Sequence, residues 1–188
     1  MAGVRQFDES AVVEQALEVF WDKGFRATSM LDLAAATGVQ RGSLYHAYGG
    51  KEQLFGKVFG QFAEQFLTAA AAALEGPDRR QALLAFFDYC VESITTGSPS
   101  RGCLSTRTAV EASAPVVAAV RQLLDGLEEI VLSALTRTGD GLTLAVEPRE
   151  AARLVVAMTR GLAVLERVYD DPARLRETAA PLVTSLLR

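Results

Sequence analysis

The segment that decides the fold is residues 25–55, which read FRATSMLDLAAATGVQRGSLYHAYGGKEQLF. Ser29 followed by Asp32 has the spacing of a capping box, in which a hydroxyl and a carboxylate satisfy the exposed N–H groups of a first helical turn. Apolar residues recur at helical spacing after this cap, and Gly38 supplies the positive φ at which such a helix ends. The segment therefore predicts a short helix that ends in a glycine turn.

The residues after that turn predict a second short helix with one polar face. It is expected to run from about Arg41 to Ala47, with Leu44 and Tyr48 facing inward. The opposite face carries Arg41, Ser43, Tyr45 and His46. A helix, a glycine-containing turn and a polar-faced helix form a helix-turn-helix, whose second helix enters the DNA major groove.

This pattern closely resembles the DNA-binding domain of the TetR family of bacterial transcriptional regulators, over about residues 8–60. The residues that carry the resemblance are Thr28-Ser29, Asp32-Leu33-Ala34, Gly38-Val39, Gly42-Ser43-Leu44-Tyr45 and Tyr48-x-x-Lys51-Glu52-x-Leu54-Phe55. A weaker resemblance, to the sixth helix of one TetR subgroup, rests on Gly102-Cys103-Leu104 and Ala109-Val110-Glu111.

Two positions depart from the usual pattern of the family. Gln40 stands where Ser or Thr usually caps the second helix of the motif, so the cap is weaker or the glutamine itself reads a base. Gly50 replaces the usual Ser, Asp or Asn before the next helix, which costs only about a few tenths of a kcal/mol. Neither departure argues against DNA binding, but Gln40 makes the operator sequence harder to predict.

The whole chain is expected to be all-α, with about nine helices, because helical periodicity continues to its end and no strand pattern appears. The resemblance implies a helix-turn-helix DNA-binding domain at residues 1–50 and an effector-binding and dimerisation domain at residues 51–188. A long fourth helix to about Leu74 would join the two. Residues 138–147 are expected to form the longest loop, and Pro181 to kink or interrupt the last helix.

The composition fits a globular protein, because 49% of its 188 residues are hydrophobic. A net charge of −4 and a pI near 5.1 would argue against DNA binding if the charge were evenly spread. However, five basic and only two acidic residues lie between Lys23 and Lys57. A local basic patch is sufficient for contact with phosphates.

Several classes of protein are not indicated. Cys90 and Cys103 fit a reduced protein better than a disulfide scaffold, and neither a secretory leader nor a long apolar run is present. We therefore expect a cytoplasmic protein without a membrane partner. With one histidine and no Gly-rich phosphate loop, HExxH or Cys-x-x-Cys motif, we expect no enzyme and no catalytic, cofactor or metal site.

The residues expected to contact DNA are Thr28, Ser29, Gln40, Arg41, Gly42, Ser43, Tyr45, His46 and Lys51. Arg41 is placed to donate to guanine O6 and N7 or to a phosphate. The resemblance assigns Tyr45, His46 and Lys51 to the phosphate backbone. The alternatives are a solvated surface position for His46 and partial burial against the first helix for Tyr45.

The resemblance also implies an effector pocket and a dimer interface in the second domain. Candidates for the pocket are Phe62, Phe66, Phe87, Cys90, Cys103, Arg107 and Met158, with ordinary core packing as the alternative for each. Cys103 has a further alternative, a thiol that reacts with electrophiles or oxidants, because Arg101 and a helix N-terminus could lower its pKa. Candidates for the interface, if they are not buried within one chain, are Leu154, Leu162, Leu165, Leu182 and Leu186.

The resemblance therefore predicts a ligand-responsive transcriptional repressor. Its partners would be double-stranded operator DNA, a second copy of the chain and a small-molecule effector whose identity the sequence leaves open. Two recognition helices about 34 Å apart would enter successive major grooves of an inverted repeat. The alternatives are an activator or a dual regulator with the same DNA-binding domain, and a helical interaction protein that has lost specific DNA binding.

Overall fold

The computed structural model describes residues 7–97, 100–111 and 114–188. Those residues form nine α-helices, so the all-α prediction is confirmed. The helices are α1 (Glu9–Ala27), α2 (Met30–Thr37), α3 (Arg41–Tyr48), α4 (Lys51–Ala73), α5 (Arg79–Thr95), α6 (Leu104–Glu111), α7 (Ala114–Leu135), α8 (Pro148–Tyr169) and α9 (Pro172–Leu186). The sequence predicts a loose arm at residues 1–7, and of these only Phe7 lies in the described part of the chain.

The chain divides into two compact units. The first unit comprises Met1–Ala63 and Arg107–Val120, and the second comprises Glu64–Thr106 and Arg121–Arg188. The sequence-based boundary after residue 50 stays a prediction. The observed division lies further along the chain, within α4, and assigns a segment from α6 and α7 to the first unit.

The core of the first unit is an aromatic cluster. The ring of Phe55 on α4 packs edge-on against Phe20 at 4.9 Å and against Phe25 at 5.1 Å, and Phe59 stacks beside it at 5.4 Å. Edge-to-face and offset pairs of this kind are the favoured arrangements of buried rings. Since α1 also packs on α2 and α2 on α3, this cluster fixes the base of the helix-turn-helix.

Helix α1 is broken at Gly24, whose φ of 78° and ψ of 166° lie outside the helical region. Sequence reasoning places the end of the first helix at this residue. Beyond the break, Phe25 is buried and its ring approaches Phe20 and Phe55. The break therefore turns an aromatic side chain into the core.

The second unit is built around α5, α8 and α9, which pack against one another. Its core contains Leu83, Phe86 and Phe87 on α5 and Val155 and Leu162 on α8, each no more than 2% exposed. In the described chain no helix combines the length and the apolar character needed to cross a membrane.

Two details of the second unit differ from the sequence-based expectations. Leu144 and Leu187 form an isolated antiparallel bridge, so the long loop pairs with the C-terminal end of the chain. Helix α9 continues through Pro181, so the proline does not interrupt the helix. The proline removes one backbone donor, and burial of Leu175, Ala179 and Val183 on one face holds the helix together across that gap.

Candidate nucleic-acid interface

The helix-turn-helix is held in shape by a complete capping box at the start of α2. The Ser29 hydroxyl accepts from the amide of Asp32 at 3.2 Å, and the Asp32 carboxylate accepts from the amide of Ser29 at 2.8 Å. Lys23 on α1 forms an ion pair with the same carboxylate. The Lys23 ammonium, followed by the Ser29 hydroxyl and amide, holds the pKa of Asp32 well below its usual value.

Helix α3 begins without a side-chain cap. Gln40 occupies the N-cap position and makes no capping hydrogen bond, as the departure from the family pattern predicts. Gly38, at φ 64°, ends α2 just before it, and Val39 is buried between the two helices. Because the first-turn N–H groups of α3 are not covered by a side-chain cap, they are free to meet an external acceptor.

The outward face of α3, defined as the side chains of Arg41, Ser43, Tyr45 and His46, is exposed to solvent. Leu44 and Tyr48 on the opposite face are buried, so α3 is oriented as its sequence predicts. Tyr45 is 49% exposed. Within the described chain, none of the four outward side chains forms a hydrogen bond or an ion pair. The face is therefore available to an external partner.

The structure gives Thr28 a different role from the phosphate contact expected of it. Its side chain is 2% exposed, and its hydroxyl donates to the carbonyl oxygen of Gly24 at 2.6 Å. The hydroxyl thus closes the end of α1. Ser29, the next residue, is exposed and stays a predicted contact.

Lys51 is also engaged within the chain. Its ammonium donates to the carbonyl oxygen of Phe25 at 2.9 Å and lies 4.6 Å from the centroid of the Phe25 ring. A weaker contact, at 3.4 Å, reaches the carbonyl oxygen of Arg26. A phosphate contact by Lys51 stays a prediction, and it would have to share the ammonium with these carbonyls.

The basic patch is smaller than the count of its residues indicates. Lys23 is paired with Asp32 and Lys57 with Glu9. Arg26 is exposed and its guanidinium has no partner within the described residues. Arg26 was not among the predicted contacts, because its sequence position alone did not show that the neighbouring lysines are already paired.

The candidate pocket residues are divided between the two units: Phe62 and Arg107 lie in the first, and the other five lie in the second. In the first unit, Phe62 packs edge-on against Trp21 at 5.2 Å. Arg107 donates to the carbonyl oxygens of Trp21 and Lys23, at 3.2 and 2.8 Å, so its guanidinium is engaged at the end of α1. An effector-binding role for either residue stays a prediction.

In the second unit, Phe66 packs against Tyr89 at 5.2 Å, Phe87 and Cys90 are buried, and Met158 is half-buried. Cys103 is half-buried just before α6, and Nη1 of Arg160 lies 3.5 Å from its Sγ. This arrangement differs from the expectation that Arg101 would be the cation beside the thiol. A surface cavity of about 520 Å³ beside the 136–144 loop is lined by none of the predicted pocket residues.

Comparison with known proteins agrees with this geometry. Residues 12–58 match the family model described as bacterial regulatory proteins, tetR family. These residues form a DNA-binding region of the TetR family. The matched residues contain α2, α3 and most of α1, which are the helices that orient the outward face.

Sequence relatives and solved structures extend the comparison. The HTH-type transcriptional repressor ComR of Escherichia coli K12 is 32% identical over 99 residues, covering 52% of this chain and 47% of ComR. YezE, an HTH-type transcriptional regulator of Bacillus subtilis, is 31% identical over 108 residues, covering 57% and 56%. The chain therefore spans about half the length of the sequence relatives it matches.

A mutant of the TetR-family regulator CifR, solved with a 26-base-pair operator DNA, superposes with a TM-score of 0.86 at 22% identity and covers 98% of this chain and 100% of CifR. This likeness establishes the fold over nearly the whole chain.

Proposed function

We propose that this chain is a TetR-family transcriptional repressor that binds an inverted-repeat operator as a homodimer and is released by a small-molecule effector. The observation that carries the proposal is the outward face of α3, where four polar side chains are exposed without partners in the described chain. ComR is named as a repressor, and CifR was solved with operator DNA. We place the protein in the cytoplasm, where chromosomal DNA is accessible.

Arg41 is the side chain on which base recognition depends most. It lies in the first turn of α3, the part of a recognition helix that reaches base edges. Its guanidinium can donate two parallel hydrogen bonds to O6 and N7 of guanine, which discriminates that base by about 1–3 kcal/mol. Tyr45 and His46, further along the same face, are proposed to contact phosphates, which position the helix without specifying sequence.

Dimerisation is proposed to occur through an apolar stripe on α8, defined as Leu154, Ala157, Met158, Gly161, Leu165 and Val168. These residues recur at the three- and four-residue spacing of a single helix face, and each is exposed or half-buried. Leu154 is 47% and Val168 69% exposed. An apolar stripe that stays accessible in one chain is typical of a surface that a second copy covers.

The proposed interface includes only some of the leucines predicted for it. Leu154, Leu165 and Leu182 keep accessible surface, but Leu162 and Leu186 are 1% and 3% exposed within the single chain. The latter two already contribute to the core of the second unit. They therefore have little surface left to bury against a partner.

The effector is proposed to bind within the second unit. FadR of Bacillus subtilis, solved in complex with stearoyl-CoA, shares the fold with a TM-score of 0.75 at 16% identity, covering 95% of this chain and 100% of FadR. That complex shows that the fold can hold a small molecule. An effector that binds better to a conformation unable to engage DNA would shift the population away from the operator.

A footprint tests the proposal. The purified protein is incubated with DNA flanking its own gene, and with randomly sheared genomic fragments, in the presence of excess unrelated competitor. We expect protection of a short inverted repeat. A folded, dimeric protein that protects no flanking DNA and selects no genomic fragment would contradict the proposal and favour a helical interaction protein.

A further inference from the structure

We propose that Arg160 on α8 binds an anionic group of the effector, so that the effector is a small organic acid. This inference rests on the proposed function, because it assumes that the second unit binds a ligand. It names the chemical class of that ligand, which the sequence left open.

The guanidinium of Arg160 is held by neutral groups. Its Nη1 donates to the hydroxyl of Ser105 at 2.6 Å, and its Nε donates to the hydroxyl of Thr159 at 3.2 Å. Longer contacts of 3.5 Å join Nη1 to Sγ of Cys103 and to Oγ1 of Thr106. In the described part of the chain, no carboxylate lies within ion-pair distance of this arginine.

This arrangement leaves a half-buried charge without a carboxylate beside it in the described part of the chain. Arg160 is half-buried, and Ser105 and Thr159 beside it are 2% and 3% exposed. Withdrawing a charged group from water is costly unless an opposite charge compensates it. Hydroxyl groups supply hydrogen bonds but no negative charge, so an anion at this position would gain a strong, charge-assisted contact.

One nitrogen of the guanidinium also has no hydrogen-bond partner among the described residues. The contacts to Ser105 and Thr159 use Nη1 and Nε, while Nη2 makes no hydrogen bond with any described residue. A guanidinium carries five N–H donors in a fixed fork. Two of its nitrogens are already held by hydrogen bonds. Binding of an anion to Nη2 would therefore cost little further conformational entropy of the arginine side chain.

Cys103 is the internal competitor for this cation. Burial raises the pKa of its thiol, but the charge of Arg160 and hydrogen bonds from Ser105 and Thr106 outweigh that effect, so the pKa lies below its usual value. A thiolate at Cys103 would itself neutralise Arg160. The experiment therefore has to separate a ligand anion from the thiolate.

The test uses two fluorescent probes that share an apolar body. 8-Anilinonaphthalene-1-sulfonate carries a sulfonate, and N-phenyl-1-naphthylamine carries no charge. Binding of each probe to the full-length protein is titrated for the wild type, for Arg160→Gln and Arg160→Lys, and for the control Arg153→Gln. Arg153 lies on the same helix, but its guanidinium already faces Glu128 at 3.3 Å.

We expect Arg160→Gln to weaken binding of the sulfonate probe about 10-fold or more, since a charge-assisted hydrogen bond is lost, and to change binding of the neutral probe less than about 2-fold. Arg160→Lys, which retains the charge, should stay within about 3-fold of the wild type, and Arg153→Gln should have no effect. Cys103→Ser should leave binding of the sulfonate probe intact or strengthen it, because the thiolate competes with the ligand for Arg160 and does not itself bind the probe.

The inference is overturned if the wild type shows no saturable binding of the sulfonate probe. It is also overturned if Arg160→Gln, shown to be folded by circular dichroism, leaves binding of the sulfonate probe unchanged or weakens binding of both probes equally. If Arg160→Gln does not fold, Arg160→Lys becomes the test. The inference is then overturned if Arg160→Lys loses sulfonate binding as completely as an unrelated unfolded protein does. Probe binding is measured without DNA, so a failed footprint and a failed probe titration remain distinguishable.

Discussion

At the scale of single residues, Cys90 and Cys103 differ in the groups that surround their sulfur atoms. Burial raises the pKa of Cys90 to about 12. Cys103 is half-buried, and Arg160 with two hydroxyls brings its pKa below the usual value despite burial. Since the thiolate is the nucleophile, the two cysteines should react at very different rates.

Iodoacetamide is expected to alkylate Cys103 at least about 10-fold faster than Cys90 at pH 7.5, because reactivity follows thiolate population and exposure. Arg160→Gln should slow the reaction of Cys103, since it removes the cation that favours the thiolate. Peptide mass spectrometry of samples quenched at timed intervals measures both rates, with Arg153→Gln as control. Equal rates for the two cysteines in the folded protein would contradict this prediction.

The same residues show where sequence reasoning reaches its limit at this scale. The sequence predicts a thiol with a lowered pKa but assigns the cation to Arg101, which is a neighbour in sequence. The structure places Arg160, on a distant helix, beside the sulfur. For the same reason, the motif identifies Thr28 and Lys51 by position but cannot show that both are engaged by carbonyl oxygens of α1.

At the scale of elements, the end of α1 depends on Gly24. Its φ of 78° and ψ of 166° fall in a region that is essentially limited to glycine. A Cβ atom at this position would lie 2.6 Å from Nε of Arg107, whose guanidinium donates to the carbonyl oxygens of Trp21 and Lys23.

Gly24→Ala is therefore expected to lower the Tm by roughly 5 °C, through backbone strain and displacement of Arg107. Gly60→Ala is the matched control, because Gly60 lies inside α4 with nothing near its Cβ position. That control should raise stability by about 0.5–1 kcal/mol, as alanine favours a helix interior. Thermal melts of both variants that moved in the same direction would refute the account of Gly24.

The loop after α7 depends on one buried ion pair. Arg79 at the start of α5 donates to the Asp140 carboxylate at 2.6 and 2.8 Å and to the carbonyl oxygen of Leu135 at 3.1 Å. Both side chains of the pair are less than 10% exposed. The hydrogen bonds from Arg79 hold the pKa of Asp140 well below its usual value.

Arg79→Met is expected to lower the Tm by more than about 5 °C, because it leaves a carboxylate uncompensated. The pKa of Asp140 is depressed in the folded state, so the stability it contributes is present above the unfolded pKa of about 4 and is lost as the pH falls. Melts of the wild type and of Arg79→Met should therefore converge as the pH is lowered below about 4, where Asp140 becomes protonated in the unfolded chain. A difference in Tm that stayed constant as the pH fell below about 4 would contradict the role of the pair.

Helix boundaries were predicted within a few residues wherever caps and glycines specify them. The Ser29 capping box forms as its spacing indicates. Asp78 and Asp171 likewise accept from first-turn amides, at the starts of α5 and α9. The bridge between Leu144 and Leu187 was not predicted, because a single pair of residues leaves no periodic pattern. The continuation of α9 through Pro181 depends on tertiary burial, which local propensity does not report.

At the scale of the whole molecule, recognition of an operator requires two copies of the chain, because one helix-turn-helix reads only a few base pairs. Spacing alone grouped Leu154, Leu162 and Leu165 together. The structure separates them, since Leu162 is in the core and the other two lie on the α8 stripe. Leucines on neighbouring faces of one helix cannot be sorted without knowing which face the other helices cover.

Leu154→Glu combined with Leu165→Glu is expected to convert the dimer to a monomer, because charges would be placed within an apolar interface. Sedimentation equilibrium measures the change, with Leu84→Glu as control, since Leu84 is an exposed leucine (37%) that lies on α5 and not on the α8 stripe. A double variant that still sedimented as the wild-type dimer would show that another surface mediates association.

The most direct test of the central claim, that the outward face of α3 reads DNA sequence, compares Arg41→Ala with Arg26→Ala. Both remove one exposed guanidinium from the first unit, but only Arg41 lies on α3. Fluorescence anisotropy at fixed salt is measured on the protected inverted repeat and on a scrambled duplex, with Tyr45→Ala as a second variant of the face.

We predict that Arg41→Ala abolishes the preference for the operator while helicity and dimerisation are retained. Arg26→Ala should weaken binding to the operator and to the scrambled duplex equally. Tyr45→Ala should likewise abolish specific binding. If Arg41→Ala or Tyr45→Ala bound the operator as the wild type does, the assignment of α3 as the recognition helix would be contradicted.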